Sequence, residues 1–311
     1  MLTFIVRRLL LAVPVLLGVV FVVMLTVDLL PGDAVTLMLG EHATKDAVAK
    51  LRDHLGLDKP FLVRYLEYVG RVVRGDLGRS IQQNRPVAAE LADAWPATLE
   101  LTIAALVIAT LVGVPAGIVS AIRPNSIFDA LARLGSLFGL SMPIFWTGLV
   151  LIVVFSLWLN WLPVGGAGSL AHLVLPAVTL ALFQVALVMR LVRAEMLEVL
   201  RTDYIKFARA RGLTDRAIHF GHALKNTLVP VITITGLQLG GIIAFAIVTE
   251  TVFQWPGMGL LFIQAINFAD IPVMAAYLCF IALVFVLINL VVDLMYYAVD
   301  PRLRIERDAA H

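Results

Sequence analysis

Six apolar stretches interrupt this chain of 311 residues, at 9–30, 98–122, 134–159, 170–189, 227–249 and 271–292. Each is long enough to cross a bilayer, which takes roughly 20 apolar residues in a helix. Within the hydrocarbon core every peptide group must find its partner inside the structure, and a helix provides that segment by segment. The chain is therefore expected to be an all-α membrane protein with six transmembrane helices. Its composition agrees: 60% of the residues are hydrophobic and 15% are charged, against about 45–50% apolar in soluble domains.

The first stretch follows Arg7 and Arg8 and runs for 22 residues. A signal-peptide core is about 7–15 residues and ends at a small-x-small cleavage site. Here Leu29-Leu30-Pro31-Gly32-Asp33 follows instead, so a retained helix is expected. Pro14, Pro115, Pro143, Pro176, Pro230 and Pro272 fall inside or at the edges of the stretches. Neighbouring helices can satisfy the backbone groups they free. Asp28 and Glu100 lie near the ends of their stretches, within reach of water.

Lys and Arg set the orientation. If the connections alternate across the membrane, 15 of the 24 basic residues fall on one side, eight of them between Arg190 and Lys225. The short connections 160–169 and 250–270 carry none. Both termini are thus expected in the cytoplasm. The organisation expected is a first helix (1–30), an external region (31–97), a five-helix core (98–300) that includes a cytoplasmic loop (194–226), and a cytoplasmic tail (301–311). The external region holds nine basic and nine acidic residues. Helices are expected there at 46–52 and 62–74, broken by Pro60, Gly75-Asp76, Gly78 and Pro86. It is either a cap folded on the membrane surface or a docking surface for an external partner.

Gly113-x-x-x-Gly117, Gly135-x-x-x-Gly139 and Gly236-x-x-x-Gly240 lie on the second, third and fifth stretches. Glycines four apart let helix backbones approach closely, so tight bundle packing is expected. Gln184, Gln238, Asn289 and Asp293 are polar residues in or near spans; such residues face the bundle interior or an aqueous pathway. Gln184, Gln238 and Glu250 are the candidates for lining that pathway. Cys279 is the only cysteine, which excludes an internal disulfide and a cysteine zinc site. His219 and His222 are three apart, but no carboxylate or cysteine stands at ligand spacing beside them, so no metal site is expected. There is no H-E-x-x-H, G-x-S-x-G or G-x-x-x-x-G-K-S/T motif. No catalytic residues are assigned, and an ATPase driving transport would be another polypeptide.

The loop between the fourth and fifth stretches is patterned beyond what topology needs. Good helix formers run over 201–211, with Tyr204, Ala208 and Arg211 on one face. Gly212 fits the left-handed stop of a helix. Thr214 can cap a second helix over 215–226. A hairpin parallel to the membrane is expected, with Ala208, Ala210 and Gly212 keeping one end slim enough for a partner's groove. Its eight basic residues face four acids and favour anionic lipid heads or an acidic partner surface.

At this loop the sequence resembles the permease subunits of binding-protein-dependent ABC importers, in the branch for dipeptides, oligopeptides, glutathione and nickel. The branch pattern is D-Y-I/V-x-x-A-x-A-x-G-L, then H-x-L-K/R-N-x-x-I/L/V-P. Here it reads Asp203-Tyr204-Ile205, Ala208, Ala210, Gly212-Leu213, then His222-Ala223-Leu224-Lys225-Asn226 and Val229-Pro230. Further matches span nearly the whole chain: Leu30-Pro31-Gly32-Asp33, Leu55-Gly56-Leu57-Asp58-Lys59-Pro60, Gly75-Asp76-Leu77-Gly78, Trp161-Leu162-Pro163, Glu250-Thr251-Val252-Phe253, Trp255-Pro256-Gly257-Met258-Gly259 and Asp300-Pro301-Arg302.

The resemblance implies the type I importer permease fold in a bacterial inner membrane. It implies a coupling loop, the EAA loop, inserted into an ATPase subunit, with Asp203, Tyr204, Ala208, Ala210, Gly212, Leu213, His219, His222, Lys225 and Asn226 as its residues. Lys206-Phe207-Ala208 stands where other branches carry Glu-Ala-Ala, so no salt bridge is expected from that position. The implied partners are a second, homologous permease, two ABC ATPases that hold ATP and Mg, and an extracytoplasmic solute-binding protein. The implied substrate is a di- or oligopeptide or glutathione, with nickel or a nickel chelate as the alternative. Membrane lipid is the surrounding phase, and no nucleic acid is implied. A secondary transporter is the more distant alternative; it would more often show internal repeats and mid-membrane ionisable groups, and neither is evident.

Overall fold

A computed structural model of the chain describes residues 2–29 and 59–299. The helix expected at 46–52 and the tail 301–311 lie outside the described residues. The elements are α1 (Leu2–Leu29), α2 (Phe61–Val73), α3 (Val87–Ile122), α4 (Ile127–Ser141), α5 (Ile144–Leu151), α6 (Leu170–Leu200), α7 (Asp203–Ala210), α8 (Leu224–Phe253), α9 (Met258–Asn267) and α10 (Ile271–Val299). Two π-helical segments join them: Ile152–Trp158 continues α5, and Ala217–Ala223 leads into α8. Among the described residues, the long apolar helices that could cross a membrane lie at Val87–Ile122, Leu170–Leu200, Ile234–Phe253 and Ile271–Val292. A shorter apolar stretch covers Leu10–Leu25 of α1.

The stretch 134–159, expected as one span, is not one helix. α4 and the α5 segment meet at 109°. Pro143 has no amide hydrogen and pushes the residue before it out of the helical region. Met142 is accordingly extended, at φ −85° and ψ 131°, and α5 starts afresh at Ile144. The connection 250–270 also holds more than expected, since α9 lies within it.

The chain divides into two compact units. The first comprises the chain up to Pro96 and residues 257–290. Here α2, expected over 62–74, packs on α1: Phe21 meets Phe61 and Tyr65 edge-on at 5.2 and 5.6 Å, and the Tyr65 hydroxyl donates to the Leu17 carbonyl at 3.1 Å. Val20, Tyr68 and Ala275 form its buried cluster. Burial pushes the Tyr68 hydroxyl well above its ordinary value. Phe262 of α9 stacks on Tyr277 of α10 at 4.3 Å.

The second unit comprises residues 97–256 and the chain from Val291 on. α6 is its axis, with buried residues from Leu175 to Met196. The glycine pairs act mainly where α6 is the neighbour. A methyl group on Gly117 would fall 2.7 Å from Val192 Cβ, and one on Gly139 would fall 3.1 Å from Ala186 Cβ. Gly236 is similarly close to Val292, at 3.0 Å. Gly135 differs, with nothing within 4 Å of such a methyl.

Candidate functional site

The patterned loop forms a hairpin at the end of α6. α7 ends at Ala210, and Gly212 takes the left-handed conformation at φ +80°, where a Cβ would be strained. The Thr214 hydroxyl accepts from the Ala217 amide at 3.4 Å. The second arm is not a separate α-helix over 215–226 as expected. It turns π-helical over Ala217–Ala223 and runs without a break into α8, so any tilt of α8 is shared directly with this arm.

The arms are tied by the residues that carried the resemblance. The Tyr204 hydroxyl donates to the His222 carbonyl at 3.2 Å, and Asn226 Nδ2 donates to the Tyr204 oxygen at 2.8 Å. Beneath this link Ile205 and Ala208 are buried with Val192, Met196, Ile218 and Ala223. Thr227 donates to the Ala223 carbonyl at 2.9 Å and stands 3.6 Å from Met196 Sδ. The hairpin is thus packed onto the last turns of α6.

The expected slim tip needs one correction. Ala208 is buried, and its small side chain serves packing within the chain. The exposed small residues are Ala210 and Gly212. Around them the chain leaves large apolar groups uncovered: Phe207 at 64% exposure, Phe220 at 54% and Leu213 at 41%. Arg211 lies over the Phe207 ring at 5.8 Å, and Asp203 pairs with Lys206 at 2.8 Å. Arg209, Arg216, His222 and Lys225 are also exposed, and His219 is half-buried. The wider π turn rotates His219 and His222 further apart than an α-helix would. No group of three metal-ligating side chains occurs among the described residues.

Of the pathway candidates, Gln184 and Glu250 are buried within the chain. Gln184 is 4% exposed, and its Oε1 has no protein partner. Glu250 is fully buried and accepts from the Thr98 hydroxyl at 2.6 Å; its backbone carbonyl accepts from the Trp255 amide. Gln238 on α8 is half-buried.

Residues 113–305 match the family model described as binding-protein-dependent transport system inner membrane component. Residues 1–102 match the model of the N-terminal part of such membrane components. The chain belongs to this family. It is 41% identical to the dipeptide transport system permease protein DppB of Alkalihalophilus pseudofirmus, over 98% of this chain and 100% of that protein. It is 40% identical to the di/tripeptide transport system permease protein DppB of Pseudomonas aeruginosa, over 99% and 100%. It is also 40% identical to the glutathione transport system permease protein GsiC of Escherichia coli K12, over 98% and 99%. A chain of the MetNI methionine ABC transporter, solved in inward facing conformations, superposes with a TM-score of 0.57 at 20% identity, covering 68% of this chain and 96% of that one. At that identity the likeness speaks for the fold. The protein is a multi-pass inner membrane permease subunit of an ABC transport system.

One cluster escaped the sequence reading. Asp129 on the first turn of α4 is fully buried. It accepts from Arg193 Nε at 2.8 Å and Nη2 at 3.1 Å, from the Ser120 hydroxyl, and from the Asn125 amide at 2.9 Å. Ser126, three residues before it, caps α4 by accepting from the Asp129 amide. The Ser-x-x-acid spacing was a legible signal for a helix start. Its partner Arg193 was legible only as one more basic residue of the loop.

Proposed function

We propose that the chain is one of two homologous permease subunits of an ATP-driven importer for di- or oligopeptides or glutathione. A solute-binding protein delivers the substrate, and two ABC ATPase subunits, which hold ATP and Mg, drive the cycle. The chain itself carries no catalytic residues. The full-length likeness to dipeptide, di/tripeptide and glutathione permeases carries this reading. Under it, six spans leave both termini in the cytoplasm, and the external region 31–97 meets the binding protein.

The hairpin supplies the coupling step. Phe207, Leu213 and Phe220 are large apolar residues of the hairpin that the chain leaves exposed, and Arg209, Arg211, Arg216 and Lys225 of the same hairpin are exposed as well. Exposed apolar groups accompanied by cations are suited to a protein socket. The Tyr204–Asn226 tie and the buried Ile205 and Ala208 stiffen the hairpin, so a push on its exposed face is passed to α6 and α8. ATP-driven closure of the partner ATPases would then shift the spans between two arrangements and alternate the side from which the substrate pathway is reached.

The test is purification of the tagged chain from its native membrane. A second permease, an ATPase pair and a binding protein loaded with peptide or glutathione are expected, with ATP-dependent uptake after reconstitution. Bound nickel or a nickel chelate would reassign the substrate. A chain that purifies alone and transports without ATP would favour a secondary transporter.

A further inference from the structure

We propose that the Asp129–Arg193 pair is the joint that carries displacement of the hairpin into α4. The proposal rests on the ATP-driven reading above. Asp129 is 0% exposed, and its oxygens receive the Arg193 fork, the Ser120 hydroxyl and the Asn125 amide. Arg193 Nε also donates to Ser120 Oγ at 3.0 Å. Arg133, half exposed, approaches Asp129 at 3.6 Å from the rim. One polar knot therefore joins the end of α3, the start of α4 and the last turns of α6. Burying an ion pair costs desolvation that apolar packing avoids, so its use is better read as fixing one arrangement than as adding stability. A forked guanidinium–carboxylate contact has the directionality to do so.

What lies on either side of the knot gives it a mechanical role. Ten residues after Arg193 the hairpin begins, and Met196 of α6 shares one buried cluster with Ile205, Ala208, Ile218 and Ala223. Ile118 and Ala121 of α3 belong to the same cluster. Hairpin, α6 end and α3 end thus form one block, and the knot attaches α4 to it. Beyond its first turns α4 also packs on α6 at Gly139, where a methyl would fall 3.1 Å from Ala186 Cβ and from the Leu182 carbonyl oxygen. A cavity of about 350 Å³, almost wholly apolar, lies beside it, lined by Ala132, Gly135, Ser136, Met142 and Thr147 among others. Its far end is the sharp break at Met142-Pro143. Held to the block by the knot and by the Gly139 contact, and turned away from α5 by the break at Met142-Pro143, α4 is placed to move with the block. Arg193 and Asp129 are positioning residues in this scheme and touch no substrate.

The test uses the complete importer in proteoliposomes, measuring uptake of labelled dipeptide and glutathione alongside ATP hydrolysis. Wild type is measured first; absence of ATP-dependent uptake there would refute the importer reading itself. For Asp129→Asn, subunit assembly is expected to persist while substrate moved per ATP falls about tenfold, the order seen for single coupling residues. Arg193→Lys keeps the charge but loses the fork, and an intermediate loss is expected. A parallel fall in uptake and hydrolysis, or an unchanged ratio, would overturn the proposal. So would failure of both variants to assemble, since the pair would then serve folding alone.

Discussion

Gly117 and Gly135 have the same side chain in the same kind of sequence pair, yet their surroundings oppose each other. A methyl on Gly117 would meet Val192 Cβ at 2.7 Å and the Met189 carbonyl oxygen at 2.8 Å. The second of these is backbone and cannot rotate away. Gly117→Ala is expected to lower stability by roughly 1–3 kcal/mol through overpacking of α3 on α6. Gly135→Ala meets nothing within 4 Å and is expected to be neutral or slightly stabilising, since Ala favours the helix by about 1 kcal/mol. Thermal unfolding of the detergent-solubilised complex checks both. Equal midpoints for the two variants would show that the close approach at Gly117 is not maintained in the protein. The sequence pairs named the right residue type, but which member touches a backbone depends on where the facing helix lies.

In the hairpin, the decisive element is the turn between its arms. Gly212 sits at φ +80° with open space around it, so its demand is conformational and not steric. Asn tolerates the left-handed region better than other side chains. Gly212→Asn is therefore expected to keep both the hairpin and uptake near the wild-type level. Gly212→Glu adds about 1–2 kcal/mol of local strain and a charge beside the exposed apolar face, and is expected to assemble poorly with the ATPase and lose uptake. Uptake by Gly212→Glu equal to that of Gly212→Asn would remove Gly212 from the docking face. The turn was legible from the Gly212-Leu213-Thr214 run. The π-helical arm was not, because its extra residue per turn is set by packing of Ile218 and Ala223 into the cluster on α6 and leaves no compositional mark.

At the scale of the whole molecule, each of the two units has its own long-range tie. In the first, the Ser80 hydroxyl donates to Asp270 Oδ2 at 2.6 Å and the Gln82 amide does so at 3.2 Å, with both side chains nearly fully buried. This fastens the turn before α3 to the residue just ahead of α10, 190 positions along the chain. Ser80→Ala would leave a buried carboxylate short of a donor and is expected to cost about 1–3 kcal/mol. Faster limited proteolysis of the 74–86 segment in intact complex is the expected sign, and unchanged proteolysis would show the tie to be dispensable. In the second unit Glu250 and Thr98 play the corresponding part at 2.6 Å.

By itself the sequence determined the all-α membrane class, most of the helix positions and the hairpin's place in the chain. These follow from local causes: apolar run length, the missing donor of proline and the freedom of glycine all act within a few residues. The tertiary structure alone decided the size of the bend at Pro143, 109°, that Ala208 faces inward, and that Asp129 meets Arg193 across 64 positions. A charge in the sequence can belong to solvent or to a buried partner. Only the packing of α3, α4 and α6 removes the water and leaves Arg193 as the group that balances Asp129.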